Sequence, residues 1–288
     1  MSVNQENFLN LIKTEKVCVM LAPSFVIDFK YPAIIGMFKK LGVPMITELT
    51  FGAKMVNLAY ADYIEKNINQ KYFISSTCPL VVSFVKNQYK ELVKYLVPVV
   101  SPMGAQARIL NKTYSDYKIV FISPCRAKQN IEAKEYSDAI AEVITFKELK
   151  EIFDEKNIKE ENFLNCKEKF DSIIDSNTKI YPVSGGLAKS SHLKNLIKER
   201  EIFVEDGTVN IKNVLEEIKN ETTKYRFFDL LNCNGGCIGG PEINNKDISE
   251  EDKKSKILNY KKYMEEIIYC HNEHNEDVDG INFGKKFE

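Results

Sequence analysis

Short apolar runs bounded by turn residues alternate along this chain with stretches whose apolar positions recur at helical spacing. Val17–Ala22, Met45–Leu49, Tyr72–Ser75, Lys118–Ile122, Ala141–Thr145 and Ile180–Val183 read as buried strands. Tyr31–Leu41, Lys54–Ile68, Leu80–Leu96, Phe146–Asp154 and Ala188–Glu199, lying between them, read as helices. The alternation predicts an α/β protein of two fused lobes, with mainly parallel sheets flanked by helices and a cleft between the lobes. Gly42-Val43-Pro44 and Ser101-Pro102 mark breaks, but no Pro/Gly/Ser-rich linker separates independent domains. The expected division is an N-terminal extension at 1–15, a two-lobed body at 16–241, and a C-terminal helix and tail at 242–288. Within the last part, Ser249–Ile268 carries apolar residues at helical intervals among lysines and glutamates, which predicts a surface helix followed by a mobile tail.

Composition narrows the function. With 288 residues, 44% hydrophobic and 28% charged, the chain can bury one large core or two fused ones. Its net charge of -1, with lysines interleaved among glutamates, leaves no basic stripe for nucleic acid. Met1–Lys16 lacks the basic start and apolar run of a secretory signal, and Val17–Phe25 falls far short of the roughly 20 residues that span a bilayer. A cytoplasmic protein without membrane contact is therefore predicted. In a reducing compartment the seven cysteines form an odd, scattered set that suits metal binding better than disulfides.

Three cysteine-bearing segments share one design. Ser75-Ser76-Thr77-Cys78-Pro79, Ser123-Pro124-Cys125-Arg126-Ala127-Lys128 and Asn232-Cys233-Asn234-Gly235-Gly236-Cys237-Ile238-Gly239-Gly240 each follow a predicted strand. The carboxyl ends of parallel strands are where α/β folds place ligands. Backbone amides there favour thiolates, and glycines allow main chain to approach sulfur closely. Cys78, Cys125, Cys233 and Cys237 are thus candidate ligands of one iron–sulfur cluster, with tetrahedral zinc the rival for four thiolates. Cys18, in a strand, and Cys166, on a charged stretch, read as structural. Cys270-His271-Asn272-Glu273-His274 reads as surface, and Ser184–Ser190 as a tight strand-to-helix turn, because it lacks phosphate-loop spacing. Phe84 and Tyr89 are most simply core.

Taken together, the segments resemble the three cysteine motifs of the iron-only (FeFe) hydrogenase catalytic domain: T-S-C-C-P, M-P-C-x-x-K-x-x-E and E-x-M-x-C-x-x-x-C-x-x-G-G. Ala22-Pro23-Ser24, Thr50-Phe51-Gly52-Ala53, Ser101-Pro102 and Ser184-Gly185-Gly186 agree in the family's order, so the resemblance covers roughly Lys16 to Pro241. It implies that the four cysteines hold the 4Fe-4S cube of an H-cluster, with Cys237 bridging to a diiron unit. It further implies that Lys128, Pro23 and Ser24 contact the cyanide ligands of that unit, and that Gly185 and Gly186 belong to the cofactor-binding set. Implied partners are a ferredoxin-like electron-transfer or signalling protein and, where the diiron unit is present, the hydrogenase maturation proteins.

Departures from the motifs are coherent. Thr77 stands where catalytic members carry a proton-donating cysteine, and an alcohol cannot titrate as a thiol does near about 8.5. Ala59-Tyr60 stand at the paired glutamates of the usual proton path, and Val97 at its relay serine. Ser123 and Leu231 replace methionines, Met103 replaces a polar residue, Ile131 replaces the second motif's glutamate, and Asp229 stands at the third motif's glutamate. The expectation is an iron–sulfur redox protein with slow H2 oxidation, proton reduction or sensing. The alternatives are a non-enzymatic 4Fe-4S protein without a diiron unit, of the iron–sulfur assembly or electron-transfer kind, and a structural zinc protein.

Overall fold

The computed structural model describes residues 1–268 and 277–287. Among the described residues, seven strands, β1 (Val17–Leu21), β2 (Met45–Glu48), β3 (Phe73–Ile74), β4 (Lys118–Ser123), β5 (Glu142–Thr145), β6 (Ile202–Asp206) and β7 (Phe227–Leu231), form two sheets. The first has the order β2-β1-β4-β5 and the second β3-β7-β6, with every pairing parallel. Around them lie α1 (Val3–Thr14), α2 (Ala33–Leu41), α3 (Thr50–Lys66), α4 (Pro79–Gln88), α5 (Pro102–Thr113), α6 (Ala133–Glu135), α7 (Phe146–Glu155), α8 (Gly186–Ser190), α9 (Thr208–Lys219) and α10 (Glu250–Ile268). Among the described residues, no helix is long and apolar enough to cross a membrane.

The strands explain the two lobes. β1 is buried along its whole length, as expected of an apolar run covered by helices on both faces. β7 instead divides its side chains by the period-two rule of strands. Phe227 joins the larger core around the first sheet, whereas Phe228 and Leu230 join a smaller core with Val81, Val85, Leu92 and Leu215. The second sheet therefore stands between the two cores, and the carboxyl ends of both sheets are available to one site.

The fold departs from expectation in a few places. Ile180–Val183 is not a strand: Asn177–Ile180 is a 3-10 turn, Pro182 has no N–H to give a ladder, and Val183 N–H donates to Ile180 O at 3.0 Å. The helix expected over Leu80–Leu96 ends at Gln88 and continues as a 3-10 turn at Lys90–Tyr95. Ala188–Glu199 shrinks to the five-residue α8 followed by short 3-10 turns. α1, α5, β6 and α9 were not anticipated. Ser101-Pro102, read as a break, is the start of α5: Ser101 is its N-cap and Pro102 its first residue, where the missing N–H costs nothing.

The tail also needs correction. Residues 277–287 dock on the body, with Val100 N–H donating to Phe283 O and Lys285 N–H to Pro98 O, each at 2.9 Å. Lys285 pairs with Glu135 at 2.5 Å and Lys112 with Asp277 at 2.8 Å. Cys270-His271-Asn272-Glu273-His274 lies outside the described residues.

Candidate metal centre

Each cysteine-bearing loop leaves a strand end. Cys78 follows β3 and caps α4, with Pro79 as the first helical residue; Cys125 follows β4; Cys233 and Cys237 follow β7. The first sheet therefore supplies one cysteine and the second sheet three. The loops are tied together by main chain. Ser184 N–H donates to Gly235 O and Ile238 N–H to Pro182 O, both at 3.2 Å, while Glu242 N–H donates to Pro124 O at 3.1 Å. Gly236 is needed where the loops press closest: its φ is +86°, and a Cβ there would meet Pro182 O at 2.7 Å.

The four thiols lie near enough for charge on one to bear on the others. Burial is the largest cause raising Cys125, Cys233 and Cys237 above the usual thiol range, with Cys233 pushed up to about 12. Charge on the neighbouring cysteines adds to it: Cys78 raises Cys125, Cys125 and Cys78 raise Cys233, and all three raise Cys237. Among the described residues, however, no three His, Cys, Asp or Glu side chains are close enough to hold a single metal ion.

Against two of these thiols lies a cavity of about 80 Å³, several times the 10–15 Å³ needed for one water. Cys125 and Cys237 line it, with Pro23 and Ser24 from the end of β1, Thr77 beside Cys78, and Lys128. Ser24 Oγ is buried without a hydrogen-bond partner. Lys128 is close to buried, and Nζ donates to Thr77 O at 3.3 Å and forms a close ion pair with Glu132. Burial works against its charge, but Glu132, Cys237 and Cys78 outweigh it and hold the ammonium above its ordinary pKa. Gly185 and Gly186 do not line the cavity. They shape the turn between Pro182 and Leu187, which do.

Three further residues belong to this region. Asp229 and Tyr181 line the cavity, and Glu132 fixes Lys128 from behind. A charge inside the apolar run Phe227-Phe228-Asp229-Leu230-Leu231 and a Lys/Glu pair at i, i+4 are the sequence signals that point to Asp229 and Glu132. Nothing in the sequence singles out Tyr181.

The family described as "Iron only hydrogenase large subunit, C-terminal domain" matches residues 15–241. The chain belongs to this family. Iron hydrogenase 1 of Clostridium pasteurianum is 24% identical over 297 residues, covering 82% of this chain and 49% of that protein. The probable cytosolic Fe-S cluster assembly factor oxy-4 of Caenorhabditis elegans is 20% identical over 275 residues, covering 77% and 60%. The chain thus spans about half the length of the first relative and three-fifths of the second. Among solved structures, an FeFe-hydrogenase described in terms of oxygen inactivation and degradation of the H cluster 2Fe subcluster superposes with TM-score 0.72 at 15% identity, covering 92% of this chain and 94% of that one. Apo FeFe-hydrogenase HydA1 of Chlamydomonas reinhardtii, variant C377H, has TM-score 0.70 at 15% identity, covering 89% and 88%. At such identities the structures share the fold.

Seen as a family member, the chain's departures meet in space. Tyr60 and Val97 join through Ser76: the Tyr60 and Ser76 hydroxyls pair at 2.8 Å, and Ser76 Oγ donates to Val97 O at 2.8 Å. Tyr60 is fully buried, so the three residues form a closed plug. A π-turn over Lys128–Glu132 leaves Ile131 39% exposed and brings Glu132, 3% exposed in its side chain, onto Lys128.

Proposed function

We propose that the chain is a cytoplasmic iron–sulfur redox protein in which Cys78, Cys125, Cys233 and Cys237 hold a 4Fe-4S cube within the body formed by residues 16–241. Its reaction toward H2 is slow or confined to sensing. One observation carries this reading: four cysteines on three strand-end loops lie near enough for charge on one to raise the others, beside a buried cavity. A lone tetrahedral zinc draws its sulfurs in to bonds of about 2.3 Å, so that they nearly touch. A 4Fe-4S cube, being larger, lets four thiolates gather from separate strand ends. Their chemistry agrees, because buried thiols that oppose one another's ionisation become thiolates only against a cationic core.

Bound there, the cube supplies one-electron storage at a potential set by its charge, burial and hydrogen bonds. The chain's residues do the rest. The three loops exclude water and hold the thiols on rigid strand ends. Lys128 offers N–H donors toward an anionic ligand, and Glu132 holds its ammonium in place. Ser24 Oγ, buried and unpartnered, is a second donor for such a ligand. Thr77 cannot replace a thiol in proton transfer, and the Tyr60–Ser76–Val97 plug occupies the positions of the usual path. Positioned acid–base groups typically supply about 10²–10⁴ in rate, so turnover with a diiron unit is slow. The electron partner is a ferredoxin-like carrier or a signalling protein.

A second reading, a 4Fe-4S protein without a diiron unit, is supported by Thr77, Ser123 and Leu231 around a small cavity and by likeness to the assembly factor. Anaerobic co-expression with hydrogenase maturation proteins followed by infrared spectroscopy separates the two. CO and cyanide stretching bands are expected on the first reading, and an iron–sulfur spectrum without them selects the second. Zinc bound in place of iron would falsify both.

A further inference from the structure

Asp229 is a charged side chain where the strand pattern calls for an apolar one. The alternation of β7 turns it with Phe227 and Leu231 to one side, and it ends 1% exposed at the cavity wall. Among the described residues lining that cavity, it is the acidic side chain and Lys128 the basic one.

The support for its charge is thin. Ala188 N–H donates to Oδ2 at 3.0 Å from the start of α8, the Leu187 amide adds to it, and Lys189 acts from an exposed position on the same short helix. From α3 and from the turn before Pro182, Tyr60 and Tyr181 face the carboxylate, whose charge helps keep both phenols protonated. Their hydroxyls are already engaged, Tyr60 with Ser76 at 2.8 Å and Tyr181 donating to Asn57 Oδ1 at 2.9 Å. Cys125, Cys237, Lys128 and Thr77 share the cavity wall. A negative charge added to this space therefore meets a buried carboxylate with little to offset it, and the cheapest response is to neutralise that carboxylate.

We propose that Asp229 is the redox-linked proton acceptor of the cavity, taking a proton from water onto its carboxylate when the centre gains an electron and returning it when the electron leaves. The inference rests on the reading of the four cysteines as a 4Fe-4S site. An external low-potential reductant supplies the electron, solvent supplies the proton, and the O–H bond is the only bond formed. Burial already holds the Asp229 carboxyl at about 6, against the lowering effect of the two amides and Lys189. Proton uptake therefore falls in a physiological window.

The test is the reduction potential of the full chain carrying its 4Fe-4S cube, titrated with dithionite and followed by EPR across a pH series. For the wild type, electron affinity is expected to fall with pH from about pH 6 up to the higher pKa the carboxyl has in the reduced state, at a slope of up to about tenfold, or about 59 mV, per pH unit. Asp229→Asn keeps an acceptor for Ala188 N–H but removes the pH dependence, whereas Asp229→Glu retains it. Lys189→Gln, at an exposed residue outside the cavity, moves the window to higher pH. A potential independent of pH in the wild type, or an unaltered slope in Asp229→Asn, overturns the proposal. If the chain takes up no iron, the cluster reading fails instead. The proposal then falls with that reading; the carboxyl titration of the iron-free chain, followed by carbon-13 NMR and assigned with Asp229→Asn, is the separate readout, in which an ordinary carboxylate midpoint in place of one at about 6 rejects Asp229 as the acceptor even where the chain does bind iron.

Discussion

Burying Asp229 has a cost whose pH dependence can be worked out. In the unfolded chain its carboxyl ionises at about 3.8, and in the fold burial raises this to about 6. The folded state therefore holds the proton more tightly, and stability is lost as pH rises from about 4 to about 6. Above that window the full cost of about 3 kcal/mol persists. Asp229→Asn should accordingly be more stable than wild type near neutral pH, with the difference closing toward about pH 4. Urea unfolding of both proteins in the same iron-loading state, at a series of pH values, reads this directly, and a pH-independent difference would contradict it. Thr77→Cys restores the thiol missing beside Cys78 but leaves the Tyr60–Ser76–Val97 plug intact. Its H2-dependent dye reduction should stay within about tenfold of wild type, and a gain of the full 10²–10⁴ would show the plug to be irrelevant. Each of these departures was legible in the sequence as a substitution at a motif position. Their contact was not, because Tyr60, Ser76 and Val97 come from three separate segments. Glu132 was missed for a different reason: the motif position fell on Ile131, although the i, i+4 spacing of Glu132 from Lys128 was there to be read, and the chain closes that pair in a π-turn.

At the scale of elements, legibility followed burial. The fully buried β1 and β2 were recognisable to within a residue or so, as was the strongly periodic α7. β6 escaped notice because Ile202–Asp206 is half-exposed and charged at its end, which breaks both the apolar run and strict alternation. α8 and the turns after it owe their shape to Gly185, with φ +76°, and to Asp229 at the start of the helix, a contact made from 41 residues away. Glu148 is the clearest junction between elements. Its side chain completes the capping box of α7 with Thr145, accepting Thr145 N–H at 2.9 Å. It also accepts the Ser2 hydroxyl at 2.7 Å ahead of α1, and the Gln129 amide at 3.0 Å from the segment that carries Lys128. Glu148→Ala removes a cap, leaves the buried Thr145 N–H unpaired and loses two part-buried bonds, so it should cost about 2–3 kcal/mol. Thr145→Ala, losing only its own half of the box, should cost about 1 kcal/mol. Equal losses for the two in urea titrations would mean that Glu148 acts as a cap and nothing more.

At the scale of the whole molecule, a buried ion pair joins the C-terminal helix to the first sheet. Glu48 ends β2 and Lys179 lies in the 3-10 turn before Pro182; both side chains are fully buried and in close contact. Lys179 Nζ also donates to Tyr260 Oη on α10 at 3.2 Å and stands 4.3 Å from the centroid of that ring, while Thr50 Oγ1 donates to Glu48 at 3.3 Å. Burial is the main influence on Lys179 and lowers its pKa, with Glu48 opposing that shift, so the pair is costly to desolvate and is sustained by its partners. Such pairs add little net stability over an apolar substitute, but removing one member strands the other's charge. Lys179→Met alone should therefore destabilise the protein by about 3–5 kcal/mol, and the double variant Lys179→Met with Glu48→Leu should recover most of that loss. α10 lies beyond residue 241, where the family match ends, and it packs on the segments bearing Pro23 and Cys237. Loosening it should reach the metal centre. In Lys179→Met, the four cysteines should react faster with an alkylating reagent in iron-free protein, and the double variant should return them to the wild-type rate. Destabilisation with unchanged thiol reactivity would confine the pair to global stability and separate the C-terminal helix from the site.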